Sequence, residues 1–386
     1  MKKVLTKAWA LHTNNGICIP GELIEEMIEI TFDEKDEVLV EPVYCSLEGN
    51  MYHAVMRDPV DICHQRKEEK IVLGNAGVVR ILESGSNASH LKPGTLGIVY
   101  AATPTDREGY PIKIFAYDAP GTVGFLAKKL ALHKDNFIPL PDNSHFSPKQ
   151  WAAFSIRYPS AWSNWKVAYN CWKVQMGHVK REEETVISWG GGVGLGEILL
   201  ARQEGFKVAM ISSMNNRISE LQKYDIQAID RNLFPDLNYM EDRYATDKEY
   251  RQCYLKSEKT FLEIIDAITN GRNAAIFIDN IGLPVYRATL KALSRQGVIA
   301  TCGWKEGMKI SHMRALESIN RHIHVNTHYI TYNEMQDAIR YAVENNWMPE
   351  VEGEYVYGWE EIPQLFKDFG AGKVNSFFPL FEVNPL

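Results

Sequence analysis

What this 386-residue sequence lacks narrows its class before any motif is read. No apolar run approaches the roughly 18 residues that a membrane-spanning helix needs. No block of basic residues stands out, because Lys and Arg number 42 against 49 Asp and Glu, giving a net charge of −7. A mildly acidic chain without a basic patch is a poor partner for nucleic acid or an anionic membrane surface. The six cysteines, at 18, 45, 63, 171, 253 and 302, contain no Cys-x-x-Cys pair. That excludes a disulfide-stapled scaffold and points to reduced thiols in a cytoplasmic enzyme. The start, Met1 to Lys7, is basic, but Lys7 interrupts the apolar core that a signal peptide requires. Repeats and low-complexity tracts are absent to the eye. With 45% apolar and 24% charged residues, the chain has an ordinary globular mix, and its length points to two domains.

What is present divides by texture. Up to about residue 140, short β-rich runs alternate with Pro and Gly. They include Glu37–Val43, Gly77–Leu82 and Gly94–Tyr100, as expected of a barrel-like domain with tight corners. From Gln150 to Trp172 the pattern is helical and aromatic, with a break expected at Pro159. A strand over Glu184–Ser188 then meets a glycine-rich turn, followed by a helix from Glu197 to Gly205 and a strand over Lys207–Ser213. Strand, turn, helix and strand make a βαβ unit, whose right-handed crossover implies a parallel sheet. Further strands are expected over Ala274–Asp279 and Gly297–Cys302, with a helix from about Pro284 to Arg295 between them. The polar stretch 231–260 reads as a solvated surface insertion, or else as a substrate lid or subunit contact. From about Asn320 the texture returns to β and mixed, as a second piece of the first domain would.

A glycine turn between strand and helix lets the backbone approach a pyrophosphate, which the helix N-terminus then holds. The strict Gly-x-Gly-x-x-Gly spacing is absent. In its place stand Ser188, Gly191 and Gly194 at intervals of three, with Gly190, Gly192 and Val193 completing the turn. Inside a βαβ unit this cluster points to nucleotide binding, the alternative being a tight structural turn. The second strand ends in Ser212-Ser213-Met214-Asn215-Asn216-Arg217, with no acid before Glu220. Two hydroxyls and an arginine suit the 2′-phosphate of NADPH, where a carboxylate would suit NADH. Otherwise Arg217 simply faces solvent.

In order and spacing, several segments resemble the medium-chain dehydrogenase/reductase superfamily over nearly the whole chain. They are Glu37–Val40, Leu73–Val79, the glycine turn, Phe277–Gly282, Gly297–Gly303 and Trp359–Pro363. Within the superfamily, Gly49–Ala54, Ile229–Phe234 and Asn326–Tyr329 are most similar to the crotonyl-CoA carboxylase/reductase branch. The resemblance implies an α/β chain with a GroES-like, β-rich catalytic domain over 1–150 and 325–386. A Rossmann domain with a doubly wound parallel sheet would lie between them over 151–324, with the polar insertion at 231–260. It further implies a homodimer or homotetramer pairing through an edge strand at about Gly297 to Trp304, the alternative for that strand being an ordinary inner one. Where zinc-dependent members have their ligands, this sequence has Glu48 and Gly74-Asn75-Ala76, and Cys45 lies three residues earlier. No trio of metal-binding side chains is evident, so a zinc-free protein is expected.

Reducing a C=C bond conjugated to a thioester suits such a chain, because donor groups can hold the developing enolate. The resemblance places Ser160 opposite the nicotinamide and His328 near the CO2 site of the carboxylating branch. It places Asn50, and with it Glu48, in the substrate pocket. Structural alternatives stand beside these roles: Ser160 as a helix cap, and His328 as one of three close histidines with His322 and His324. Asn280, Gly303 and Trp304, at the ends of later parallel strands, are expected to line the nicotinamide half of the cleft. Three functions remain open: an NADPH-dependent enoyl-thioester reductase, a zinc-free reductase of another carbonyl, quinone or biosynthetic intermediate, and a non-catalytic nucleotide-binding scaffold. A thioester substrate also needs basic residues for its phosphates, for which Lys128, Lys129 and Arg157 are candidates.

Overall fold

The computed structural model describes residues 1–13, 19–102, 104–307, 309–351 and 353–386. Cys18 lies outside the described residues; the other five cysteines are free thiols. Among the described residues no helix is long and apolar enough to cross a membrane. The chain forms two compact units, one of Arg157–Tyr329 and the other of Met1–Ile156 with Ile330–Leu386.

The continuous unit is built on six parallel strands: β1 (Thr185–Trp189), β2 (Lys207–Ser212), β3 (Gln227–Asp230), β4 (Ala274–Ile278), β5 (Leu293–Thr301) and β6 (Ile323–Asn326). Their order in the sheet is β3-β2-β1-β4-β5-β6. This is the doubly wound order, in which the direction of strand addition reverses between β1 and β4 and opens a crevice at their carboxyl ends. Strands β1 and β4 are buried throughout, which explains the unbroken apolar run of β4 and the largely apolar character of β1. Helix α1 (Arg157–Met176) precedes β1, and α2 (Gly192–Gln203) joins β1 to β2. Pro159 does not break the pattern, because it sits in the first turn of α1, where its missing N–H has no partner to lose.

Two expectations need correction here. Strand β5, taken as the pairing edge, is an inner strand flanked by β4 and β6. The edges are β3 and β6, and the four-residue β6 is too short and polar to stand out in the sequence. The polar stretch 231–260, although exposed along most of its length, is more than a solvated insertion, since Phe234, Leu237 and Tyr254 anchor it in the core. It leads into helix α4 (Lys248–Thr269), numbered after α3 (Asn215–Lys223) and capped by the Asp247 carboxylate. Helix α4 buries Tyr254, Phe261 and Ile265 at helical spacing, and the preceding loop buries Phe234 and Leu237. Trp189 stacks on Phe261 with centroids 5.4 Å apart, so this segment belongs to the core that supports the end of β1.

The other unit is mostly antiparallel. Glu37–Ser46 is its central strand, paired with Gly77–Ser84, Leu130–His133 and Leu380–Glu382. A second sheet joins Lys2–His12 to Ile24–Phe32 and Lys70–Ile71. The C-terminal stretch thus returns to complete the N-terminal sheet. Val38, Val40, Val79, Phe125 and Phe381 are among the fully buried residues of its core.

Candidate active site

In the doubly wound unit, β1 ends at Trp189 and the chain turns through Gly190 and Gly191 into α2. Gly191 caps the helix at φ 132°, a backbone region that disfavours other residues, and contributes no side chain to the exposed N–H groups. A β-carbon on Gly191 would meet nothing within 4 Å, whereas one on Gly190 would lie 2.9 Å from the Ile211 carbonyl oxygen. One on Gly194 would overlap the Ser188 hydroxyl and lie 3.0 Å from the Trp189 carbonyl oxygen. Open space above Gly191 and an uncapped helix N-terminus fit a pyrophosphate. Ser188 itself is fully buried, its hydroxyl donating to Trp189 O at 2.8 Å beneath the turn.

At the end of β2, Ser212 is buried and Ser213 is exposed, and Arg217 is half-buried in the first turn of α3. The sheet register sets Asp230, at the end of β3, beside Ser212. Its carboxylate caps the Asn232 N–H at 2.9 Å, and the Asn232 side chain donates to Ser213 O at 3.0 Å. Asp230 was out of view in the sequence because only strand pairing brings it to this corner.

At the ends of β4 and β5, Asn280 turns inward. Its Oδ1 accepts the Cys302 N–H at 2.9 Å. Gly303 is half-buried and Trp304 exposed, with the Trp304 ring 4.9 Å from that of His328. His328 lies beyond β6, exposed, and its Nδ1 meets the Cys302 carbonyl oxygen at 3.0 Å. The neighbouring histidines are used differently. His322 and His324 each bind the Glu317 carboxylate at 2.9 Å, and His324 also meets the Tyr286 hydroxyl. Ser160 is the fourth residue of α1 and half-buried, so it is not the helix cap.

Beneath these ends runs a second polar chain that the sequence did not disclose. The indole N–H of Trp189 donates to Thr289 Oγ1 at 2.8 Å, and Thr289 lies 3.0 Å from Asp279 Oδ2. The other oxygen of Asp279 accepts the N–H groups of Ile281 and Gly282. Burial raises the Asp279 carboxyl from the ordinary 3.8 to about 6, against the lowering effect of these hydrogen bonds. The folded chain therefore binds this proton more tightly than the unfolded chain. The stabilisation is complete below the ordinary value and is lost as pH rises through about 6. Asp279→Asn keeps the shape of the neutral acid. In urea melts between pH 4 and 6 it is expected to remove a slope of up to about 1.4 kcal/mol per pH unit. An unchanged slope would show that Asp279 titrates normally.

In the other unit, Glu48 is the N-cap of the helix Gly49–Met56 and is nearly buried. Burial first, and the Glu48 charge second, hold the Tyr117 phenol well above its ordinary value. Asn50 is exposed, its Oδ1 accepting the Met51 N–H at 2.8 Å. Asn75 is buried and donates to Phe115 O at 3.3 Å. Cys45 is fully enclosed, and burial alone pushes its thiol well above the usual range. Among the described residues no group of three or more His, Cys, Asp or Glu could hold a metal ion. With an amide at 75 and an enclosed thiol at 45, the donor set does not fit catalytic zinc. Of the basic candidates, Lys128 stands 4.4 Å over the Trp359 ring and donates to Val383 O, and Arg157 is buried.

No family model matches the chain, and no curated protein sequence matches it. Solved structures do. A crotonyl-CoA carboxylase/reductase, AntE, in complex with NADP is similar at a TM-score of 0.79 and 18% identity, over 99% of this chain and 95% of that one. A 2-octenoyl-CoA carboxylase reductase in complex with NADP and 2-octenoyl-CoA gives 0.76 and 17%, over 98% and 87%. An alcohol dehydrogenase from the archaeon Aeropyrum pernix gives 0.73 and 17%, over 97% and 99%. The chain shares the fold of these carboxylase/reductases and of the alcohol dehydrogenase. In that fold the α/β reading is met: the β-rich unit is the GroES-like part and the six-stranded unit the Rossmann part.

Proposed function

We propose that this protein is an NADPH-dependent oxidoreductase that reduces the C=C bond of an enoyl thioester. The observation that carries the proposal is the likeness, over nearly the full chain, to carboxylase/reductases of crotonyl-CoA and 2-octenoyl-CoA. The anion cradle at the start of α2 supports it. The backbone N–H groups of Gly192, Val193 and Gly194 would face the pyrophosphate, with Gly190 and Gly191 giving it room. Ser212, Ser213 and Arg217 would take the 2′-phosphate, and Gly303 and Trp304 would flank the nicotinamide, with Asn280 bracing them from below. Bound NADPH would supply a hydride for the β-carbon.

The chain's own groups would manage the charge that results. The Ser160 hydroxyl would donate to the enolate oxygen. His328, with Nδ1 engaged by a carbonyl, would present Nε2 for proton exchange. In the other unit, Asn50 and Glu48 would orient the acyl group. A carbonyl reductase of another substrate is the second reading, favoured by the somewhat weaker likeness to an alcohol dehydrogenase, at a TM-score of 0.73. The expected homodimer or homotetramer would pair through an edge strand, and β3 and β6 are the edges available.

The test is a fluorescence titration with NADPH and NADH, followed by NADPH oxidation with enoyl-CoA substrates, with and without bicarbonate. Preference for NADPH and turnover of an enoyl-CoA are the expected results. Turnover only with ketones or quinones would select the second reading. Binding of neither cofactor would overturn both.

A further inference from the structure

Glu197, in α2, is fully buried. A charged residue inside Leu195-Gly196-Glu197-Ile198-Leu199-Leu200 is unusual, since ionised carboxylates are rarely buried without a cation. No Lys, Arg or His is among the groups acting on it. Two asparagines face it instead, and burial pushes its carboxyl well above the ordinary range, so the neutral acid is favoured.

The two asparagines lead to one place. Asn164 of α1 donates to Glu197 Oε2 at 3.0 Å, and its own Oδ1 accepts the Thr327 hydroxyl at 2.8 Å. Thr327 is the residue before His328, and its N–H also donates to Thr301 O at 2.9 Å. On the second arm, Asn280 lies beside the same carboxyl without a hydrogen bond to it, leaving Glu197 Oε1 unbonded, and accepts the Cys302 N–H at 2.9 Å. The carbonyl of Cys302 then accepts from the His328 ring at 3.0 Å. One arm thus sets the backbone just before His328, and the other sets the imidazole itself.

We propose that Glu197 is a positioning residue, the buried fork that holds His328 in one orientation and one tautomer through Asn164–Thr327 and Asn280–Cys302. A hydrogen bond from Nδ1–H leaves Nε2 as the exposed, accepting nitrogen. The proposal rests on the reductase reading only for what His328 does in turnover; the ring's orientation does not depend on that reading.

The test is long-range 15N–1H NMR of the full-length protein labelled in histidine, with the His328 signals identified by their loss in His328→Asn. The wild-type ring is expected in the Nδ1–H tautomer. Glu197→Gln, which keeps the shape and lack of charge, should preserve it. Glu197→Leu and Asn280→Ala should each bring the other tautomer to comparable population. Glu197→Leu should also lower kcat about 10-fold while NADPH affinity stays within about 2-fold. Folded Glu197→Leu or Asn280→Ala protein with an unchanged His328 tautomer would overturn the proposal. So would folded Glu197→Gln protein whose ring is scrambled. If Glu197→Leu does not fold, Asn280→Ala and Glu197→Gln decide it. If no enoyl thioester is reduced by the wild type, the functional reading fails while the tautomer result still stands or falls by itself.

Discussion

Gly194→Val is expected to remove measurable NADPH binding, a loss of more than about 100-fold by fluorescence titration. The geometry is specific. A β-carbon at 194 overlaps the Ser188 hydroxyl and presses on the Trp189 carbonyl, and both belong to the strand end from which the turn springs. Ser188 cannot swing aside without loss, because it is buried and already bonded to the Trp189 carbonyl. The first turn of α2 must therefore lift, carrying its N–H groups away from the pyrophosphate position. A milder pair separates this from general unfolding. Gly194→Ala should weaken binding about 10-fold, and Ser188→Ala in the same chain should restore most of it, because the obstacle removed is the hydroxyl itself. With Ser188 Oγ gone, the nearest remaining atoms are the Trp189 carbonyl oxygen at 3.0 Å and the Ser188 β-carbon at 3.6 Å. If Gly194→Ala binds NADPH normally, the cofactor does not lie on this turn.

The parallel unit was legible because its strands bury both faces and so announce themselves as short apolar runs. Thr185–Trp189 and Ala274–Ile278 are the clearest. The glycine turn needed no strict motif, since its place between β1 and α2 carried the meaning. Segment 231–260 misled for a physical reason: Phe234, Leu237 and Tyr254 are scattered among charges, and only the helical spacing of α4 gathers its share on one face. The sheet order was hidden by β6, whose Ile323-His324-Val325-Asn326 offers too little apolar character to identify an outer strand. Asp230 and Thr289 became relevant only through register and helix packing, which no local pattern records. Glu197 did leave a signal in the sequence. A single acid in an otherwise apolar helix either faces solvent or is buried with partners, and the apolar neighbours on both sides favoured burial.

Arg217→Glu should be the strongest test of cofactor choice, because it reverses a charge at the corner formed by Ser212, Ser213 and α3. Hydrogen bonds from an arginine to a phosphate contribute about 1.5–3 kcal/mol in net terms, and a facing carboxylate adds repulsion. NADPH affinity is expected to fall by more than about 100-fold while NADH affinity changes by less than about 3-fold. Asp230 makes the outcome informative in the other direction. It adjoins Ser212 in the sheet and carries a charge that disfavours the 2′-phosphate, partly offset by its bond to the Asn232 N–H. Asp230→Asn should accordingly tighten NADPH by a few-fold without affecting NADH, in paired titrations at low and high salt. Both effects should shrink at high salt, since these groups lie near the surface. Equal loss of the two cofactors in Arg217→Glu would mean that the residue supports α3 rather than the phosphate. The 2′-phosphate would then have to be read elsewhere on the molecule.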